Sequence, residues 1–139
     1  MKKYVYCFVW IFVLTLFSGC SSHLPDDLPK RYPCKIKIMF KNELVTETSV
    51  SLINLDSKWD AIGVTGNNGV AEMKTQGIYS GVPEGRFKVL VSKYEITFRG
   101  DEVPPDEKML FNTVFANAES TPLECTIEKK NNELTFEVY

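Results

Sequence analysis

From Cys34 the chain settles into a period of two. Ile36, Ile38 and Phe40 alternate with Lys35, Lys37 and Lys41, interrupted only by Met39, as in a strand with one face in an apolar core and the other in water. Val50 and Leu52 begin a second strand, and Ala61 to Thr65 reads as a third. The turn Gly66-Asn67-Asn68-Gly69 uses residues that tolerate positive φ, and it predicts a hairpin joining that third strand to Val70–Lys74. Gly77, Gly81, Pro83 and Gly85 then punctuate a loop before Phe87, Val89 and Val91, which alternate strongly, and Tyr94 to Phe98 extends or follows that strand. Residues 99 to 120 carry the least regular pattern. Leu123–Glu128 and Leu134–Tyr139 read as a closing hairpin around Lys129–Asn132. No amphipathic helix stands out, and short strands with turn signals every 8–12 residues or so predict an all-β sandwich.

The N-terminus follows a different rule. Lys2 and Lys3 precede an apolar run from Tyr4 to Phe17, which ends in Ser18-Gly19 directly before Cys20. A charged start, an apolar middle and a small-residue end are the parts of a secretory signal. With cysteine next, the expected product is a bacterial lipoprotein: residues 1–19 are removed and Cys20 carries the lipid. A helix that crosses a bilayer needs about 20 apolar residues, more than this run supplies before Ser-Gly-Cys, although a retained anchor is the alternative. Phe17 stands where the lipoprotein pattern usually has Leu. Several acyl chains, at about 0.8 kcal/mol per buried methylene, hold a protein stably where one does not. Residues 20–33 are polar and hold three prolines, so they predict a lipidated tether, followed by one domain over 34–139. The expected location is the bacterial cell envelope, on the outer membrane if the cell is Gram-negative.

Charge narrows the partners. The chain has 16 basic and 18 acidic side chains, and losing Lys2 and Lys3 with the signal leaves 14 against 18. A net-acidic domain with interspersed charges is not a nucleic-acid binder and has no electrostatic grip on anionic lipid. Of the four cysteines, Cys7 leaves with the signal and Cys20 is the lipid site. Cys34 and Cys125 share the apolar parity of their strands. An exported compartment permits a disulfide between them, worth a few kcal/mol. Two buried free thiols fit the sequence equally well, because the Cα separation decides.

Thr65-Gly66-Asn67-Asn68-Gly69-Val70-Ala71, followed by Gly81-Val82-Pro83-Glu84-Gly85-Arg86-Phe87-Lys88-Val89, resembles the carboxypeptidase regulatory-like domains of bacterial lipoproteins. The resemblance covers most of residues 34–139 and implies a single seven-stranded, Ig-like or transthyretin-like (prealbumin-like) β-sandwich. Gly66 stands where that family often has Asp. The shared residues are turn and core residues, so they speak for fold rather than activity. The enzymatic relative, hydroxyisourate hydrolase, uses histidines, an arginine and a C-terminal Tyr-Arg-Gly-Ser. Here the sole histidine is His23, in the tether, and the sequence ends Glu137-Val138-Tyr139.

Other chemistry fits poorly. One histidine and two separated cysteines do not make a zinc set, so no metal and no cofactor is expected. Lys35 and Lys37 have solvent parity, which argues against the isopeptide cross-links of related adhesin domains. The acidic Asp101-Glu102 and Asp106-Glu107 lack the alternating ligands of a calcium loop, and Arg99-Gly100-Asp101 is a three-residue match of the kind chance supplies. Trp59, Tyr79 and Tyr94 lie in or beside expected loops, where exposed rings stack on a sugar or anchor a partner and buried ones cover the ends of the sandwich. The expectation is a non-enzymatic envelope module, structural or protein-binding, with carbohydrate binding through Trp59 and Tyr79 as the alternative.

Overall fold

Alternation becomes burial along each principal strand. Ile36 and Ile38, Val50 and Leu52, and Phe87, Val89 and Val91 are all fully buried, while Lys35 and Lys37 between them are exposed. The computed structural model describes residues 24–100 and 104–139. In chain order the elements are β1 (Arg31–Tyr32), β2 (Cys34–Phe40), β3 (Glu43–Leu44), β4 (Ser49–Asn54), β5 (Ala61–Val64), β6 (Val70–Glu72), β7 (Lys74–Thr75), β8 (Tyr79–Ser80), β9 (Val82–Pro83), β10 (Gly85–Ser92), β11 (Tyr94–Thr97), β12 (Asp106–Met109), a 3-10 turn η1 (Thr113–Ala116), β13 (Glu124–Ile127) and β14 (Asn132–Val138). The fold is all-β, and no α-helix occurs among the described residues.

Two sheets enclose one core. The larger runs β13-β10-β4-β5-β7-β8, and the smaller runs β14-β2-β3 with β6 also paired to β2. Their inner faces meet in a single apolar cluster that includes Ile36, Ile38, Leu52, Ala71, Phe87, Val89, Ile127 and Val138. Each fully buried aliphatic or aromatic side chain contributes roughly 1.5–3 kcal/mol. Buried threonines close the polar bonds: Thr48 N–H donates to Thr65 Oγ1 at 2.9 Å, and Thr121 Oγ1 donates to the Val89 carbonyl at 2.8 Å.

Both expected hairpins turn out to be crossovers. The Gly66–Gly69 turn forms, with Gly69 N–H donating to Gly66 O at 2.9 Å and φ of 69° at Gly69. The strand after it, however, pairs with β2 in the other sheet, and β5 pairs with β7 instead. Gly63 makes room for the crossing: a Cβ there would stand 2.8 Å from Met73 Sδ and 2.9 Å from Glu72 O. In the same way β13 pairs with β10 while β14 pairs in parallel with β2. The chain between them passes from one sheet to the other around the buried side chain of Asn132, whose amide donates to Lys130 O at 2.7 Å and accepts from Glu128 N–H at 3.0 Å.

Three stretches are more ordered than their composition predicts. The glycine-rich loop holds β7, β8 and β9. Residues 99–120 hold β12 and η1, and they supply Phe111 and Phe115 to the core. The end of the expected tether is built into the domain, since β1 pairs with β9 and Asp27 is ion-paired to Lys58. Pro33 still delivers the chain to β2, but the leash ends before it.

Candidate functional site

Cys20 and His23 lie outside the described residues. Cys34 and Cys125 are free thiols facing the core from opposite sheets. Cys34 is 3% exposed and Cys125 is half-buried against the same cluster. Burial pushes the Cys34 thiol up to about 12, with a further push from neighbouring Cys125, and burial raises Cys125 to about 11. A thiol reacts as its thiolate, so both are held in the inert form at neutral pH.

Of the three aromatic candidates, Trp59 and Tyr79 are drawn into packing, while Tyr94 is 53% exposed. Trp59 is 7% exposed, with the Lys58 ammonium 4.9 Å from its ring centre. Tyr79 is half-buried, and the Arg31 guanidinium lies 5.6 Å from its ring centre while its Nε donates to Ser80 O. One cation thus lies over each ring, Arg31 on Tyr79 and Lys58 on Trp59. Trp59 and Tyr79 join β1, β8 and β9 in one pole of the sandwich, the pole at which residues 24–30 lead into β1.

The opposite pole carries a different surface. β10 leads directly into β11, which pairs with β12 as a separate two-stranded sheet in the register Tyr94↔Met109 and Ile96↔Glu107. Tyr94 and Ile96 fall on one face of this arm, with Met109 and Glu107 opposite them, and Phe98 follows just past the end of β11; the three are 53%, 54% and 78% exposed. The other face is polar, with Glu95, Thr97 and Lys108, and Arg99 ion-pairs with Asp106. The sequence predicts that Tyr94 to Phe98 extends or follows the strand of Phe87, Val89 and Val91, and β11 follows it. What the sequence did not reveal is that the apolar side meets water rather than the core. Asp101 and Glu102, like the last residue of Arg99-Gly100-Asp101, are outside the described residues.

Charged side chains elsewhere are paired at the surface. The Arg86 guanidinium beside Asp56, at 3.0 Å, holds that carboxyl below its usual range and is itself raised by it. Lys88 at 2.6 Å does the same to Glu124. On the outer face of the smaller sheet, Lys35 approaches Glu72 at 3.6 Å, beside an open cavity of about 570 Å³ lined also by Lys37, Glu133 and Thr135. Exposed pairs of this kind each add little stability, and they leave a face of mixed charge. Among the described residues no group of three His, Cys, Asp or Glu side chains has metal-holding geometry. Compared with known proteins, the chain matches no family model, no curated protein and no solved structure.

Proposed function

We propose that this chain is a non-enzymatic, lipid-anchored module of the bacterial cell envelope that works by holding a protein partner. The observation that carries this reading is the arm of β11 and β12, where Tyr94, Ile96 and the following Phe98 are each more than half exposed. Exposed apolar side chains gathered on one part of a protein surface are the kind of patch that partners cover. Its position favours a protein over the membrane. The tether joins at β1, next to the start of β10, and the arm leaves from the end of β10, about 25 Å away for an eight-residue strand. Lipid on Cys20 would hold one pole at the bilayer and direct the other outward.

We read the sandwich as the seven-stranded transthyretin-like fold of carboxypeptidase regulatory-like domains. Seven principal strands support it, β13-β10-β4-β5 in one sheet and β14-β2-β6 in the other. The motif residues support it too. Gly69, Gly81 and Gly85 have φ of 69°, 87° and 145°, Pro83 is buried opposite Arg31, and Phe87 is fully buried.

The test has two arms. Metabolic labelling with an alkyne fatty acid should tag the wild-type protein and not Cys20→Ser. A photo-crosslinking amino acid at Phe98 should capture a discrete protein in living cells, and the same group at Glu84, near the tether pole, should not. Capture of lipid alone, or no difference between the two positions, would sink the reading.

A further inference from the structure

We infer that the outer edge of β14 is a strand-docking site for an extended peptide in which basic side chains alternate with apolar ones. This inference rests on the protein being an interaction module, and it names a second surface and the chemistry of its partner.

The edge follows from the ladder. Asn132 N–H donates to Pro33 O at 2.9 Å, and β14 lies parallel to β2 with Asn132 opposite Cys34 and Val138 opposite Phe40. In a parallel ladder alternate residues turn both N–H and C=O toward one neighbour. Asn132, Leu134, Phe136 and Val138 therefore face β2, and Glu133, Thr135 and Glu137 present their backbone groups to the other side. β14 is the last strand of its sheet, so among the described residues no strand receives them. Seven residues make this a long edge, and such a row is a template for an added strand.

The side chains define what fits. Glu133, Thr135 and Glu137 are exposed on the outer face, and Leu134 and Phe136 are half-buried on the inner one. β13 is the matching edge of the other sheet, and half-buried Cys125 within it and Leu123 just before it pack against the same core. A groove of about 520 Å³ lies at the start of the β14 edge, lined by Thr126, by Glu128 and Lys130, which pair with each other, and by Glu133 and Leu134. An added strand would cover the apolar seam with one set of alternate side chains and set the other set beside Glu133 and Glu137. Opposite charges in directly facing positions stabilise a pair of strands, and on its occupied side β14 already has Lys35 opposite Glu133. The pattern that fits is basic, apolar, neutral, apolar, basic, and it reads the same in both chain directions. A second copy fits poorly: antiparallel pairing of β14 with itself about Thr135 sets Glu133 against Glu137 twice.

The full-length protein in detergent, given a capped Lys-Val-Thr-Val-Lys peptide flanked by Gly-Ser, tests this by amide hydrogen exchange. At a peptide concentration about ten times Kd, exchange at Glu133, Thr135 and Glu137 should slow about tenfold, and a Glu-Val-Thr-Val-Glu peptide should leave it unchanged. Thr135→Pro removes the central outward N–H without touching a bond to β2, and it should abolish the protection. Glu133→Lys with Glu137→Lys should reverse the preference between the peptides, which keeps the test decisive if the proline variant unfolds. Equal protection by both peptides, or protection spread over the whole domain, would overturn the site, as would self-association through β14. Should protection fail while crosslinks from Phe98 persist, the edge is refuted and the interaction module stands. Loss of the Phe98 crosslinks with peptide protection intact refutes the arm instead.

Discussion

Asn132 meets Pro33 twice, through its backbone N–H at 2.9 Å and its side-chain amide at 3.5 Å. This contact joins the final crossover to the start of β2 and fixes the register of the parallel ladder. The Asn132 side chain also satisfies Glu128 and Lys130 while 5% exposed. Asn132→Ala should therefore destabilise the domain by about 1–3 kcal/mol, read from the urea midpoint. Asn132→Asp should be no milder at pH 7, because its carboxylate would face the Lys130 and Glu128 carbonyls.

Gly81 is held at φ of 87°, and a Cβ there would stand 2.9 Å from the Tyr32 carbonyl. Gly81→Ala should cost at least the 1–2 kcal/mol or so of a left-handed residue. The loss should fall first on β1, so hydrogen exchange at Arg31 and Tyr32 should accelerate more than exchange in β10.

The buried thiols predict a stability that declines in alkali. Their folded pKa values, about 12 and 11, lie above the ordinary 9.0, so the unfolded chain releases these protons first as pH rises. The stabilisation is complete below pH 9 and is lost progressively toward pH 11–12. Comparing urea midpoints at pH 8 and pH 10.5 should show a steeper fall in the wild type than in Cys34→Ala with Cys125→Ala. At pH 8 both thiols should resist iodoacetamide until denaturant is added.

Phe115 and Phe98 separate packing from contact. Phe115 is 1% exposed and stacks edge-on with Tyr139 at 5.0 Å, whereas Phe98 is 78% exposed. Phe115→Ala should cost about 3–5 kcal/mol. Phe98→Ser should change stability by no more than about 0.5 kcal/mol and should weaken partner capture in cells.

The faces of the long strands were legible because burial in a sheet repeats every two residues. Ile36, Ile38, Val50, Leu52, Phe87, Val89 and Val91 declare it locally. Strand partners were not legible. Gly66–Gly69 and Lys129–Asn132 have the chemistry of tight turns, which serves equally to return a chain within a sheet or carry it across to the other. The choice depends on the missing Cβ of Gly63 against Met73 and on the Asn132 bonds, contacts between residues whose proximity only the fold creates. For the same reason Trp59, Tyr79 and Tyr94 read alike in the sequence, although only Tyr94 is left more than half exposed, with Ile96 beside it: alternation marks an apolar face without saying whether anything covers it.

The parallel pairing of β2 with β14 also sets how the domain answers force. Its first long strand and its last lie side by side and point the same way, so tension applied between Pro33 and Tyr139 slides one along the other. The seven register pairs are then strained together in shear, whereas an antiparallel end would peel open one bond at a time. Load applied at Pro33 and Tyr139 therefore meets a mechanical clamp, set by that direction of travel alone.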